Sequence, residues 1–338
     1  MFSTIRERLV AIDPTGFPHF QPGRYFHGIM ANAKTGELGF RQRSRHGPCS
    51  IELGMGYRAA ARRIGWMECV GCGSAAVSER SERTAQGYRR FRCRACGKQF
   101  NERSAGVLNR TQYPSDIIAL VVLWRLRYKL ALRDLPEMFL IRGIVFSHEA
   151  VRDWETKLTP ALAENLRRRR RGKVGQSWYV DETYIKVHGH WRYLYRAIDR
   201  SGALVDVMFS ERRDMAAAKA FFESAKMVTG VTPDRVTTDG HDSYPRAIRT
   251  VLGTRVRHRD SQYLNNRLEQ DHRGVKGRYG PMRGFKRPRS AGDFCRAYDE
   301  LRNFLRSRSQ TNQQVSADYR RFHFLRRTAT VLRVLQAA

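Results

Sequence analysis

The fold is decided by the stretch Trp178-Tyr-Val-Asp-Glu-Thr-Tyr-Ile-Lys-Val187 and by the two that follow it, Trp191-Arg-Tyr-Leu-Tyr-Arg-Ala-Ile-Asp199 and Ala203-Leu-Val-Asp-Val-Met-Phe-Ser210. Each stretch is rich in β-branched and aromatic residues and alternates them with polar ones, a pattern typical of a strand. The connections, His188-Gly-His190 and Ser201-Gly202, are too short for a crossover. The sequence therefore predicts a meander of three antiparallel strands.

The pattern changes after the meander. A helix is predicted from Asp214 to about Val228, and a strand then ends with Arg235-Val-Thr-Thr238. A second helix near 243–252 and a short strand at 255–258 follow. Hairpins first and βαβ crossovers afterwards are typical of a ribonuclease H-like α/β core, a mixed five-stranded sheet with helices on both faces. We assign this core to residues 176–305.

Three acidic residues of this region are predicted to meet. Asp181 lies within the first strand, Asp239 directly follows the fourth, and Glu269 lies on a probable helix. Open α/β sheets place functional groups at the carboxyl ends of their strands. Clustered carboxylates repel one another, and a pair of divalent cations is the usual way to relieve that repulsion. Hard oxygen ligands favour two Mg²⁺ ions, with Mn²⁺ as a substitute.

The neighbours of these acids are assigned by geometry. Glu182 is expected on the opposite face of the strand from Asp181, so that only one of them serves. Asp271 lies roughly 200° around the helix from Glu269 and is expected to face away. Three basic residues lie on the same side of that helix as Glu269 and are suited to hold DNA phosphates, namely His272, Arg273 and Lys276.

The charge of the chain indicates its partner. It has 338 residues, with 63 Lys and Arg against 32 Asp and Glu and a formal net charge of +31. This balance excludes most ordinary metabolic enzymes and favours DNA or RNA, with an anionic membrane surface as the weaker alternative. The longest apolar run, 117–124, is far shorter than the ~20 residues of a membrane span. No export segment is recognisable, so a cytoplasmic location is expected, with association to the nucleoid when bound.

Four cysteines form two pairs, Cys69-Val-Gly-Cys72 and Cys93-Arg-Ala-Cys96, while Cys49 and Cys295 lie outside the pattern. Two such turns at facing hairpin tips complete the tetrahedral shell that zinc prefers. A pair of disulfides or a redox CxxC is the alternative, disfavoured by a reducing compartment. We therefore predict a structural Zn²⁺ in a zinc ribbon at residues 67–105.

A helix-turn-helix module is predicted at residues 112–166. A helix with an apolar face begins after Pro114, a second covers Asp134 to Leu140, and Ser147 is a good N-cap for a third. Helix, helix, turn and capped helix is the order of a DNA-reading unit. The third helix would present two residues to DNA, His148 and Arg152.

The remaining segments are assigned by composition. Residues 167–175 contain five successive arginines and are predicted to be a basic linker that follows a phosphate backbone, through Arg167, Arg168, Arg169, Arg170 and Arg171. Residues 1–66 have no periodicity. Because Met67 immediately precedes the first CxxC pair, one hypothesis is that translation starts there. The basic tail, 306–338, is expected to form an amphipathic helix that packs on its own domain or on a partner subunit.

Several stretches of this sequence resemble those of the bacterial DDE transposases of insertion-sequence family six. The likeness runs from Glu68 to about Leu305 and includes the first two strands quoted above, Thr238-Asp-Gly-His241 and Tyr263-Leu-Asn-Asn-Arg-Leu-Glu-Gln-Asp-His272, with Lys276 and Gly284-Phe-Lys286 beyond. Two departures are a shorter interval between Asp239 and Glu269 and an N-terminal segment without a counterpart.

The resemblance implies a catalytic triad of Asp181, Asp239 and Glu269, with Lys276 as its basic companion. It also implies a helix-turn-helix that reads terminal inverted repeats, and an enzyme that copies its own element into target DNA. We thus expect a metal-dependent polynucleotidyl transferase that acts on double-stranded DNA and forms a dimer or larger homo-oligomer when two ends are held together. The alternatives are a non-catalytic DNA-binding regulator and a structure-selective nuclease of the same fold.

Overall fold

The computed structural model describes residues 67–261, 266–306 and 316–338, so the N-terminal segment 1–66, with Cys49, lies outside the described residues. The described chain begins with a small sheet of three strands, β1 (Val77–Arg83), β2 (Arg89–Cys93) and β3 (Gln99–Asn101), in that order. The register pairs Phe91 with Phe100, whose rings lie 5.6 Å apart between centroids. This sheet occupies the segment predicted to be a zinc ribbon.

Three helices follow, α1 (Ser115–Arg127), α2 (Asp134–Leu140) and α3 (His148–Arg170). Their starts match the predicted helices, and the Ser147 hydroxyl accepts a hydrogen bond of 3.2 Å from the backbone N–H of Ala150, as a cap should. Aromatic contacts fill the centre of the unit, where the ring of Phe146 lies 5.1 Å from Trp154 and 5.3 Å from Phe139. The helix-turn-helix order is therefore formed by ordinary core packing.

The predicted basic linker at 167–175 is wrong in its first half. Residues 167–170 are the last turn of α3, which is 23 residues long. Arg167 and Arg170 lie three positions apart and therefore share one helix face, which is turned toward the protein. Arg168, Arg169 and Arg171 are exposed, so only these three of the five remain available to a phosphate backbone.

The central sheet contains β4 (Ser177–Val187), β5 (His190–Asp199), β6 (Leu204–Ser210), β7 (Arg235–Thr238) and β8 (Arg257–Asp260). Its order is β6-β5-β4-β7-β8. The first three strands form the predicted antiparallel meander, whereas β7 pairs in parallel with β4, and β8 with β7. This mixed sheet confirms the predicted ribonuclease H-like fold.

Unequal strand lengths shape one edge of this sheet. β7 pairs only with the start of β4, from Ser177 opposite Arg235 to Tyr179 opposite Thr237. β4 then continues to Val187, paired with β5 alone. From Val180 onward, no strand among the described residues lies beside β4 on the side that faces away from β5, although Phe285 forms an isolated bridge with Val187. Asp239 directly follows β7, next to the point where β4 continues without this partner strand.

Helices cover both faces of the sheet. On one face, α4 (Met215–Thr229) and α5 (Ser243–Val251) pack against the indole of Trp178 and the side chain of Val180. On the other, α7 (Pro288–Leu305) packs against β6 and α3. Between α5 and α7 in the chain lies α6 (Asn266–Tyr279), which contacts β4 and β5.

The predicted tail helix is present as α8 (Ala317–Ala337). It packs on α1 of its own chain and buries Val331 and Leu335 completely. Among the residues that the structure describes, no helix combines the length and the apolar character needed to cross a bilayer.

Buried ion pairs join α3 to the sheet and to α7. Arg170 binds Glu300 through two hydrogen bonds of 2.7 and 2.8 Å and also donates to the carbonyl oxygens of Leu204 and Val205. Arg167 reaches the fully buried Asp206 at 2.8 Å. A buried carboxylate is tolerated only when it is paired, so these arginines fix the end of α3 against the catalytic core.

We expect Arg170→Ala to lower the free energy of unfolding by about 3 to 5 kcal/mol, because it leaves the carboxylate of Glu300 buried and unpaired. Arg168→Ala is the matched control. Its side chain is 72% exposed and pairs with the exposed Glu164, so a change within about 0.5 kcal/mol is expected. Urea denaturation followed by circular dichroism measures both. Equal losses for the two variants would contradict the structural role of Arg170.

Candidate active site and metal centres

Asp181 and Asp239 meet at the sheet edge that the short β7 leaves open. Asp181 lies in the middle of β4, directly opposite Arg196 of β5, and is half-buried. Asp239 follows the last residue of β7, and Gly240 after it adopts a left-handed conformation with φ of 91° that turns the chain sharply. The strand order thus brings together two acids that are far apart in the sequence.

Glu182 joins them, which departs from the expectation that it would point away from Asp181. Carboxylate oxygens of Asp181, Glu182 and Asp239 all lie within 4.8 Å of one another. Alternation does send the two neighbours to different faces of β4. Within the described part of the chain, no strand pairs with β4 beside these two residues on the side away from β5, and the open edge leaves room for both carboxylates to approach Asp239. Strand length, which the sequence pattern did not reveal, made the difference.

The environment of Asp181 disfavours its charged form. Burial is the largest cause, followed by repulsion from Glu182 and Asp239, and together they raise the pKa of Asp181 to about 7. The backbone N–H of Glu182 opposes this shift by donating a hydrogen bond of 2.8 Å to Asp181 Oδ1. A divalent cation bound between these acids would relieve the repulsion among them.

Two neighbouring side chains bind the carboxylate of Glu182. The guanidinium of Arg213, from the loop between β6 and α4, forms an ion pair with it, and the hydroxyl of Tyr244 donates a hydrogen bond to it. Burial, followed by the charge of Glu182, raises the pKa of Tyr244 well above its usual range. Arg213 Nη2 also lies 3.6 Å from Asp239 Oδ2. Sequence reasoning missed both residues, although Tyr244 follows Asp239 closely.

Glu269 stands outside this group. It is exposed in the first turn of α6, and among the described residues the carboxylate cluster contains only the three acids above. His272, one turn further along the helix, has Nδ1 3.8 Å from Asp181 Oδ2. Residues three apart on a helix are neighbours, so the turn of α6 that carries Glu269 adjoins the contact with Asp181.

His272 does not occupy the exposed position predicted for a phosphate contact. Its side chain is buried. Burial, with the positive charges of Arg196 and Lys276, lowers the pKa of His272 to about 3. A side chain enclosed in this way packs α6 against the site and is poorly placed to reach a phosphate. Arg273 and Lys276 are exposed, as the prediction requires.

A second set of ion pairs fixes the position of α6. Asp271, which was expected to face away from Glu269, accepts a hydrogen bond from Arg302 and lies 3.6 Å from Arg196 Nη2. Arg196 also donates a hydrogen bond of 2.6 Å to the buried Asp299. These pairs connect α6 to β5 and α7, and they give α6 a fixed position beside Asp181.

The residues predicted to read DNA lie at the start of α3. Arg152 is exposed and His148 partly so, and the carboxylate of Glu149 lies between them. Both side chains thus lie at the N-terminal end of the helix, with Arg152 one turn after His148.

The four cysteines of the two CxxC pairs form one cluster. Their sulfurs lie within 4.8 Å of one another, close enough for one ion with Zn–S bonds of about 2.3 Å. Gly73 and Gly97 have φ of 72° and 74° and complete the two tight turns, as their places after the second cysteine of each pair predict. The donor set and its spacing are compatible with zinc.

Comparisons with known proteins match this architecture. A family model described as a DDE domain matches residues 175–308. The transposase of the insertion sequence-like element IS431mec from Staphylococcus aureus is 37% identical over 171 residues, which cover 49% of this chain and 75% of that protein. The transposase of insertion sequence element IS257 in transposon Tn4003 matches equally well. The chain belongs to the DDE transposases of insertion-sequence family six.

The assignment covers the catalytic core of this transposase, and DDE transposases are metal-dependent polynucleotidyl transferases. Among solved structures, the HTLV-2 integrase catalytic core is similar at 20% identity and a TM-score of 0.26, over 31% of this chain and 71% of that one. A simian T-cell lymphotropic virus intasome chain is similar at 15% identity and a TM-score of 0.32, over 44% and 54%.

For the cysteine cluster we expect one zinc ion per chain, released by a thiol-modifying mercurial and quantified with a colorimetric zinc indicator. Cys72→Ser replaces an exposed ligand and should reduce bound zinc to less than about a tenth, because zinc needs its four-ligand shell. Cys295→Ala removes a buried thiol of the α7 core instead. It should retain the full zinc content. Equal zinc in both variants would exclude the four-cysteine site.

Proposed function

We infer that the protein is the transposase of an insertion sequence that binds the terminal inverted repeats of its own element. With Mg²⁺ it would cut the 3′ ends and join them to double-stranded target DNA. The observation that carries this inference is the carboxylate cluster of Asp181 and Asp239 at the open sheet edge, within the segment that the DDE family model matches.

Asp181, Asp239 and Glu269 are the residues proposed to hold two metal ions, for which oxygen ligands favour Mg²⁺ and allow Mn²⁺. Such ions, when bound, activate the attacking oxygen and stabilise charge on the leaving one. The chain supplies the geometry. β4 and the end of β7 bring the first two acids together, and α6 would supply the third from the turn that precedes the contact of His272 with Asp181.

Glu182 is the rival for the third position, and its contacts argue for a different role. It already has a cationic partner in Arg213 and a donor in Tyr244. Arg213 in turn lies near Asp239. We propose that Glu182 is a positioning residue that orients Arg213 at the edge of the site, whereas the exposed Glu269 is the ligand.

DNA would be held by the exposed cations of α6 and α3. Arg273 and Lys276 are one and two turns beyond Glu269 and suit the phosphates next to the reacting one. The start of α3, with His148 and Arg152, is the part of a helix-turn-helix that enters the major groove. Joining the two ends of one element requires two such helix-turn-helix modules, one for each end. We therefore propose a dimer or larger homo-oligomer on DNA.

We expect Asp181→Asn, Asp239→Asn and Glu269→Gln each to reduce strand transfer by at least about a thousandfold, because the ligands act as one unit. Binding to a fragment carrying the element's ends should remain within about threefold of the wild type. Glu182→Gln is the matched control. The substitution keeps the size of the side chain and its contact with Tyr244, so we expect strand transfer to fall by less than about tenfold.

A strand-transfer assay with that fragment, a target plasmid and Mg²⁺ measures these variants. Full loss in Glu182→Gln with activity retained in Glu269→Gln would reverse the two roles. Cutting without joining by the wild type would favour a nuclease, and no chemistry at all would favour a regulator.

Arg152→Ala is expected to weaken binding to the repeat-carrying fragment by about 10- to 100-fold and to bring it close to binding of unrelated DNA, because base contacts supply the specificity. Lys157→Ala is the control, since it removes an exposed cation more than one turn further along α3 that pairs with Asp153. It should change both affinities by no more than about twofold. Fluorescence anisotropy with competitor DNA distinguishes the two results.

A further inference from the structure

An exposed aromatic surface lies beside the carboxylate cluster and has no part in the mechanism above. On one face of the meander, Trp178 and Tyr195 are buried beneath α4 and α5. Toward the β4–β5 turn, the same face continues with Tyr184, Trp191 and Tyr193, which we call the aromatic platform. Tyr184 is 45% exposed and Trp191 is 60% exposed.

The three rings form one surface. Tyr184 and Tyr193 are direct cross-strand partners, and their ring centroids lie 5.3 Å apart. The Trp191 ring lies 6.4 Å from that of Tyr184. Lys186 Nζ lies 5.6 Å from the centre of the Trp191 ring and adds a positive charge. Cross-strand pairing therefore holds the rings in place on a rigid hairpin.

A single guanidinium connects this platform to the acids. Arg213 Nη1 donates a hydrogen bond of 3.2 Å to the hydroxyl of Tyr184, while Nη2 pairs with Glu182 and lies 3.6 Å from Asp239. A single side chain, that of Arg213, therefore links the aromatic platform to the carboxylates. Because one guanidinium contacts the Tyr184 hydroxyl and lies near Asp239, a nucleotide bound with its phosphate at Asp239 would have its base on the side of the site where the platform lies.

Large exposed aromatic side chains on a strongly cationic protein favour a ligand that is both anionic and flat. Bases stack on such rings without sequence preference, and Lys186 and Arg213 offer charge to the adjoining phosphates. A base pair inside a duplex is stacked on both sides and presents only its edges, whereas a base in a single-stranded end can present its face. An unpaired nucleotide therefore fits this surface better than a duplex does.

We propose that the aromatic platform is a base-stacking site that holds an unpaired nucleotide adjoining the DNA strand end at the carboxylates. This proposal rests on the proposed function, since the strand end is the one on which the transposase acts. Tyr184 and Trp191 are positioning residues in this scheme. They touch a base next to the reacting phosphate and fix the position of that phosphate.

The test uses the full chain without divalent metal and a duplex with a short 3′ single-stranded tail that contains 2-aminopurine. The wild type should quench the fluorescence of this base, because stacking quenches it. Trp191→Ala should lose most of the quenching and bind the tailed duplex about 5- to 100-fold more weakly, the range for one stacked base. Its affinity for a blunt duplex should change by less than about twofold.

Matched controls isolate stacking from folding. Trp191→Phe keeps an aromatic ring and should restore most of the quenching. Tyr128→Ala removes another exposed tyrosine, at the end of α1, and should behave as the wild type. A tail with an abasic site in place of 2-aminopurine should weaken wild-type binding as much as Trp191→Ala weakens binding to the intact tail, with no further loss when the two are combined.

Full quenching by Trp191→Ala, or an equal loss of affinity for blunt and tailed duplexes, would overturn the proposal. A change in oligomeric state without a change in quenching would also overturn it and assign the rings to a protein interface. Asp181→Asn separates this result from the proposed function. It should quench as the wild type does while failing to join strands, and joining by Asp181→Asn would refute the catalytic role alone.

Discussion

Repulsion between carboxylates is the constraint on which this structure depends. Acids that gather around a metal must approach one another before any ion can bind, and like charges in a half-buried place resist that approach. The fold opposes this repulsion with rigid placement. β4 carries Asp181, Asp239 directly follows β7, and the parallel pairing of these two strands holds both acids in place. Arg213 offsets part of the remaining charge through Glu182.

Charge pairing also fixes α3, the helix proposed to contact DNA. Because α3 continues to Arg170 and ends in ion pairs with Asp206 and Glu300, it is part of the catalytic core rather than attached to it by a linker. Side chains of α1, α3 and α7 share one hydrophobic cluster. The distance between the start of α3 and the carboxylates is therefore set by helix length. A rigid separation of this kind would let DNA bound by α3 reach the active site at a defined position.

Local sequence patterns predicted the elements well and their partners less well. Alternation located the meander, and Ser147 located the start of α3, because both signals act between near neighbours. The five arginines were misread because composition alone does not distinguish a solvated run from a helix end. Their buried members are three positions apart, and only the carboxylates of Asp206 and Glu300, distant in sequence, decide which face is buried. For His272, helical spacing gave the correct side of α6 but not its enclosure against Asp181.

Glu182 shows where such reasoning reaches its limit. Alternation correctly sends it to another face than Asp181, yet the shortness of β7 opens the edge around which both side chains reach. Proximity alone would make Glu182 a metal ligand. Its contacts argue against this role. The carboxylate of Glu182 would have to break its contacts with the guanidinium of Arg213 and the hydroxyl of Tyr244 before it bound an ion. The exposed Glu269 would have fewer contacts to break. These contacts favour our proposal that α6 supplies the third ligand, and ion pairs of Asp271 with Arg302 and Arg196 hold that helix in position.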